Sequence, residues 1–250
     1  MIQFDRVTYR YGRADRSVLD HFTWDVSRGR TVLLGPNGAG KSTLLGLGAG
    51  AFAPQHGSVH VPGVDRSQRS RARRRTWAGV VGWMPQDVRA VRGLTAREQV
   101  AYAGWLRGLT RSDAWERAAA ALEAVDLVAE TDRQTSALSG GQLRRVGIAE
   151  ALVPGPSVLL LDEPTVGLDP GQRARVRDLL VDLPGVQTLV VSTHQVDDLS
   201  EIFDHVAVLQ RGALRFTGDV PTFLEHGDPG ADVARRAETA FRTLVPESAA

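Results

Sequence analysis

The segment Gly35-Pro36-Asn37-Gly38-Ala39-Gly40-Lys41-Ser42 constrains the fold more than any other part of this 250-residue chain. Its spacing, Gly-x4-Gly-Lys-Ser, is that of a loop wrapping backbone N–H groups around a phosphate. Such a loop belongs between a strand and a helix: glycines allow the tight wrap, and the helix start adds the positive end of its dipole. Thr31–Leu34 reads as the buried strand before the loop and Lys41–Leu47 as the helix after it, closed by Gly48 and Gly50. Lys41 is also the only lysine; Lys and Arg total 30, and the other 29 are arginine. A compact ammonium on a flexible stem fits under a phosphate as a point charge, which a wide planar guanidinium does not. Lys41 is therefore expected to reach the β- and γ-phosphates of a nucleoside triphosphate, and Ser42 to offer its hydroxyl to Mg²⁺. Gly35, Asn37, Gly38, Ala39, Gly40 and Thr43 complete the candidate contacts of this loop.

Elsewhere, short apolar runs alternate with longer amphipathic stretches, the pattern of an α/β chain. Val158–Leu161 is four aliphatics in a row, as a parallel strand covered on both faces requires, and Leu189–Ser192 is another such strand. His205–Gln210 and Ala213–Thr217 read as a closing pair around Arg211-Gly212. The residues before the loop, and Gly57–Val61, read as antiparallel strands. Between Leu94 and Leu152 the chain turns rich in Ala, Leu, Arg and Glu, with helical spacing at Ala114, Ala118, Ala121, Leu122 and Val125. That stretch is read as a helical insertion between two core strands. Ala237–Leu244 reads as a helix in a weakly patterned tail whose last residues are expected to be loose.

Two further motifs carry chemistry. Val158–Leu161 runs into Asp162-Glu163, so a buried strand ends in two carboxylates. Ligands of open α/β sheets bind at such strand ends. Asp162 is placed to support Mg²⁺, and Glu163 to face the γ-phosphate and polarise a water. Leu138-Ser139-Gly140-Gly141-Gln142 has a capping serine for a helix running through Leu152, and its glycines expose backbone N–H groups at that helix start. This is a second anion site in one chain.

With these motifs the chain resembles the ATP-binding subunits of ABC transporters over nearly its whole length. The resemblance implies a P-loop NTPase (RecA-like) core with an antiparallel β subdomain and an inserted α-helical subdomain. It places an ATPase domain at 1–226, with the β subdomain at about 1–30 and 57–82, the helical one at about 88–152, and a short tail at 227–250. Leu138–Gln142 matches the signature loop, making Ser139, Gly140, Gly141 and Gln142 ATP contacts. Gln86, in Trp83-Met84-Pro85-Gln86-Asp87, matches the glutamine that touches Mg²⁺ and the attacking water. Asp169, in Gly167-Leu168-Asp169, matches the aspartate that crosses to the other subunit. His194 matches the switch histidine near the γ-phosphate. Tyr11 matches the aromatic that stacks on adenine and is preferred to Tyr9, two residues away on the same strand face. Glu163, His194, Gln86 and Lys41 are thus the implied catalytic set, with ATP and Mg²⁺ as cofactors. One departure is Glu150, where the family often has a basic or amide residue; it is expected to matter little, and the local pairing of that helix is the point it touches.

The family architecture implies two chains placed head to tail, each sandwiching ATP between one Lys41 loop and the other's Ser139–Gln142. The partner ATPase is a second copy or a homologue. Hydrolysis lets the pair open and drives a membrane permease carried on a separate chain. Residues 82–87, 105–109 and 163–170 look most like ATPases of export systems for drugs, antibiotics or other hydrophobic solutes.

Composition narrows the alternatives. There are no cysteines, which excludes disulfides, thiolate metal sites and cysteine nucleophiles. No apolar run approaches the roughly 18 residues of a membrane helix, and the first residues lack the plan of a signal peptide. The expected location is cytoplasmic, peripheral on the inner face of the membrane through the permease. A formal net charge of +1 gives no bulk attraction to nucleic acid. The run from Arg66 to Arg75 lacks interleaved aromatics, reads as a solvated loop or helix, and leads to no expectation of nucleic acid as a partner. The alternative function is a soluble ABC ATPase acting on nucleic acid or ribosomes.

Overall fold

A computed structural model describes residues 1–12, 16–61, 64, 71–195 and 202–246, the side chains of 71–75 excepted. The first elements are β1 (Ile2–Tyr9), β2 (Leu19–Val26), β3 (Gly29–Leu34), α1 (Lys41–Gly48), β4 (His56–His60), α2 (Arg71–Val80) and β5 (Val81–Met84). Next come α3 (Ala96–Leu106), α4 (Arg111–Glu123), α5 (Gly140–Leu152), β6 (Val158–Asp162), α6 (Pro170–Val181) and β7 (Thr188–Thr193). The chain then forms β8 (His205–Gln210), β9 (Ala213–Asp219), α7 (Val220–Leu224) and α8 (Val233–Leu244). Two compact units result: Met1–His60 with Thr188–Ala250, and Val61–Gln187.

In the first unit β3 is the centre of a sheet in the order β7-β3-β8-β9. It pairs parallel with β7, Val32 opposite Val191, and parallel with β8, Val32 opposite Val206. The aliphatics Val32, Leu33, Leu34, Leu189, Val190, Val206, Ala207 and Val208 are all buried, which explains their unbroken apolar runs. The antiparallel return of β9 along β8 brings alternation back, since only every other residue of β9 turns inward. A separate antiparallel sheet has the order β2-β1-β4. Its alternation breaks where the register of β1 slips between Phe4 and Val7. The slip is a bulge: Asp5 and Arg6 both face solvent, while Phe4 and Val7 are both buried. Phe4 packs edge-on to Phe22 at 5.9 Å and stacks on Trp24 at 6.1 Å.

In the second unit β5 and β6 pair parallel, Val81 opposite Val158. Every residue of β6 is buried. Helices α3, α4 and α5 pack on one another. On α4 the packing residues are Ala114, Ala118, Ala121 and Leu122, and small alanines let neighbouring helices approach closely. The helix starts are capped: Thr95 and Glu98 form a reciprocal box on α3, Thr110 caps α4, and Asp169 caps α6 with Pro170 following. Each such cap satisfies N–H groups left without a carbonyl partner in the first turn.

Within the stretch read as strand subdomain, residues 71–80 are helix and β5 runs parallel to β6. The arginine-rich run lies outside the described residues, save for the backbone of Arg71–Arg75, which begins α2. Residues 247–250 of the tail also lie outside them. Among the described residues no helix is long and apolar enough to cross a membrane.

Candidate functional site

In the first unit β3 feeds the glycine loop and the loop opens α1, as the spacing requires. Gly38 and Gly40 hold left-handed φ values of 79° and 105°, which glycine reaches without steric cost. The cap position of α1 is Gly40, and no side chain closes the helix start. The loop therefore faces the positive end of a helix dipole. Lys41 is buried, and its Nζ donates to the carbonyl oxygens of Gly35 at 2.7 Å and Pro36 at 3.3 Å. The loop thus holds the ammonium over itself. Ser42 is exposed and Thr43 buried.

The structure separates the two tyrosines. Tyr9, the last residue of β1, stacks on Phe52 at 5.5 Å. Tyr11 lies beyond the strand, 47% exposed, its ring nearly perpendicular to those of Tyr9 and Phe52. Its hydroxyl sits 3.0 Å from Thr43 Oγ1, which ties the ring to the first turn of α1. Tyr11 is thus the more exposed of the two tyrosines. His194 follows the end of β7 and is exposed. The next residue is fixed by Gln195 N–H donating to Thr193 Oγ1 at 3.0 Å.

In the second unit Asp162 closes β6 and Glu163 follows, both almost fully buried. Glu163 has φ 50°, a left-handed conformation that costs a residue with a Cβ about 1–2 kcal/mol. Arg6, His21, Asp126 and Arg211 also have positive φ but are exposed; Glu163 is the buried one among them, which makes it a candidate. Nothing in the residue pattern foretells that conformation. Nor does that pattern single out Arg144 on α5, which donates to the carbonyl oxygen of Gln86 and, at 3.4 Å, to that of Val166. Partial burial lowers the pKa of this guanidinium, while the charges of Asp162, Glu163 and Asp87 raise it. Gln86 itself is exposed, as is Asp87.

Ser139 and Gln142 form a reciprocal box at the start of α5. Ser139 Oγ accepts from Gln142 N–H at 3.2 Å, and Gln142 Oε1 accepts from Ser139 N–H at 3.0 Å. Gln142 Nε2 donates to Glu130 at 2.8 Å, so its amide is spent on shaping the loop. Ser139 and Gly140 stay exposed. Gly141 is covered by Gln172, whose Oε1 would lie 1.1 Å from a Cβ at that position. Gln172, Ser139, Gly141 and Arg175 line a small cleft of about 100 Å³. Asp169 Oδ1 accepts from Gln172 N–H at 2.9 Å, capping α6.

Ser42 offers a hydroxyl and Asp162 a carboxylate. These are hard oxygen donors of the kind Mg²⁺ uses together with substrate phosphates, rather than as an all-protein cage. No cluster of three His, Asp or Glu side chains fit to hold a metal by itself occurs among the described residues. Each donor, taken in its own unit, is of the kind that suits a cation shared with a phosphate.

Comparison with known proteins follows the same lines. The sequence profile of the family described as "ABC transporter" matches residues 19–166. The chain is 37% identical over 92% of its length to Methionine import ATP-binding protein MetN 2 of Paraburkholderia xenovorans, covering 59% of that protein. It is 33% identical over 93% of its length to Nod factor export ATP-binding protein I of the same organism, covering 75% of it. It spans only 12% of the length of another relative that it matches. Among solved structures, a dimeric post-hydrolysis state of the ATP-binding cassette MJ0796, bound to ADP and Pi, superposes with a TM-score of 0.75 at 25% identity. That match covers 88% of this chain and 98% of the other.

Proposed function

The chain belongs to the ABC transporter family, as one of its ATP-binding subunits, and from that premise we propose that it hydrolyses ATP to drive solute across a membrane through a permease on a separate chain. The observation that supports this reading is the presence of two glycine-bearing helix starts in one polypeptide: the uncapped α1 behind Lys41, and α5 behind the exposed Ser139 and Gly140. Each suits an anion. Two copies placed head to tail put the Lys41 loop of one against the Ser139–Gln142 loop of the other, with ATP between. The MJ0796 cassette, solved as a dimer with ADP and Pi, supports a pairing of two such chains.

In this reading Gly35, Asn37, Gly38, Ala39 and Gly40 wrap the phosphates in backbone N–H groups. Lys41 turns from its loop carbonyls toward the β- and γ-phosphate oxygens. Thr43 steadies the ring of Tyr11, which lies against adenine. Glu163 accepts a hydrogen bond from a water and aims its oxygen at the γ-phosphorus; that oxygen bonds to the phosphorus as the bond to the ADP oxygen breaks, the water's proton passes to Glu163, and ADP and inorganic phosphate are the products. His194 donates to the γ-phosphate. Gln86 orients the same water. The second copy contributes the exposed Ser139 and Gly140, with Gly141 and Gln142 shaping the loop behind them, and Asp169 reaching across. Ser42, Asp162 and Gln86 would hold Mg²⁺, which when bound neutralises charge on the phosphate oxygens. The protein acts chiefly by placing groups and stabilising charge. Loss of the γ-phosphate removes the bridge between copies, and the pair opens.

The working place is the inner face of the membrane, reached through the permease. We assign export rather than import. Residues 82–87, 105–109 and 163–170 resemble export-type ATPases, and one relative is named for export, although another is named for import. The test is Glu163→Gln with ATP and Mg²⁺ on size-exclusion chromatography. A stable ATP-bound dimer with turnover lost supports the reading; a monomer, or normal turnover, overturns it. Vesicles holding the copurified permease then give the direction of solute movement.

A further inference from the structure

The segment bearing Gln86 is no free loop. Its backbone is gripped by side chains from α3 and α5 on both sides of that glutamine. Arg107, at the end of α3, donates to the carbonyl oxygens of Val81 at 3.0 Å and Trp83 at 3.3 Å. Arg144 of α5 holds the carbonyl of Gln86 itself. Val88 lies so close to α5 that a Cβ on Gly147 would meet its Cγ2 at 2.5 Å. Beyond Gln86 the grip comes from Gln99, a residue of α3 that is 3% exposed. Its Nε2 donates to Arg89 O at 2.9 Å, and its Oε1 accepts from Val91 N–H at 2.8 Å. The second hydrogen of the same amide goes to Glu150 Oε1 on α5, at 2.6 Å. That short contact to a carboxylate fixes which way the amide faces, and so which backbone groups it offers bonds to.

We propose that Gln99, oriented by Glu150, is a positioning residue for Gln86. The pair sets where the strap from Asp87 to Val91 sits on the helices, and with it where Gln86 can reach. This inference rests on the functional reading of Gln86 given above. Glu150 thereby gains a purpose, because its carboxylate accepts the amide hydrogen that a basic residue could not. Burial pushes the Glu150 carboxyl up, and the Gln99 amide and the nearby Arg107 charge hold it down. The arrangement thus keeps an acceptor inside the helices at some cost, which a packing role alone does not require.

The experiment compares steady-state ATP hydrolysis and amide exchange in the full chain. Gln99→Met removes all three hydrogen bonds at similar volume. The expected result is faster exchange at Val91 and a kcat about tenfold lower, with KM for ATP changed much less than kcat, because Gln86 orients the reacting water besides serving Mg²⁺, which Ser42 and Asp162 also serve. An unchanged kcat despite faster exchange would overturn the proposal, as would a loss confined to KM. Should Gln99→Met fail to fold, Glu150→Ala and Glu150→Gln take its place. The glutamine retains an oxygen for the Gln99 amide and recovers most of what the alanine loses; equal loss in both sinks the proposal. Gln86→Ala is run beside them. If it leaves turnover intact, the role of Gln86 falls and this inference with it. If it abolishes turnover while Gln99→Met does not, only the inference falls.

Discussion

Glu163 offers a test in which strain and chemistry can be read apart. The perturbation is a pair of variants, Glu163→Gly and Glu163→Ala. Both remove the same carboxylate, so whatever that group bonds to in the native protein cancels in the comparison. What remains is the backbone at φ 50°. Alanine retains a Cβ and with it about 1–2 kcal/mol of left-handed strain. Glycine escapes that strain but surrenders about 0.5–1 kcal/mol through its looser unfolded chain. The glycine variant should therefore be the more stable by roughly 0.5–1 kcal/mol. At an ordinary helix or strand position the order is the reverse. Urea unfolding, with the two slopes equal, measures the difference as a shift in midpoint. An alanine variant as stable as the glycine one, or more so, refutes the claim of backbone strain. Both variants should also lose turnover. A glycine variant that is the more stable and still hydrolyses ATP would leave the strain standing and remove Glu163 from the chemistry.

Lys41→Ala should abolish ATP binding, measured with a fluorescent nucleotide; unchanged affinity would remove the loop from the site. Ser139→Arg should spare ATP binding and prevent dimer closure on size-exclusion chromatography, whereas loss of binding in the monomer would contradict the head-to-tail arrangement. Glu150 should leave a mark on the pH dependence of stability. Burial, outweighing Gln99 and Arg107, holds its carboxyl above the ordinary 4.5, so the native state binds a proton that the unfolded chain has released. Its contribution therefore falls as pH rises from 4.5 through the raised value, and Glu150→Gln should gain stability relative to the parent over that window. Urea midpoints at about pH 5 and about pH 8 read the gain, and a constant difference between the two proteins would count against it.

What could be read from the residues follows from how local each signal is. The loop from Gly35 to Ser42 and the run Val158–Leu161 declare themselves because glycine spacing and unbroken aliphatics are written in adjacent letters. The hairpin β8–β9 does so through Arg211-Gly212. Helix α6 does not, because it buries only Val176 and Leu180 and so carries too thin a stripe to stand out. Helix α8 begins four residues before the expected Ala237, where Asp232 caps it. The bulge in β1 is hidden because it is a relation between strands rather than a property of one. The same limit applies at the site. Sequence named Gln86, Asp162, Glu163 and Ser139 as candidates, but not the left-handed turn at Glu163, nor the grip of Arg144. Glu150 stands out in the sequence as a departure expected to matter little, and only the fold supplies its partner, Gln99, 51 positions away.

Arg107 has a consequence beyond the strap it helps to hold. Among the described residues β5 has a strand neighbour on one side only, and carbonyls two apart on a strand point to the same side. By occupying Val81 O and Trp83 O, the guanidinium stands where an incoming strand from another molecule would have to bond. Two acceptors of that edge are thereby closed to strand addition, one of the ways in which a sheet edge is protected. Loss of Arg107 would show first as clumping of otherwise folded protein.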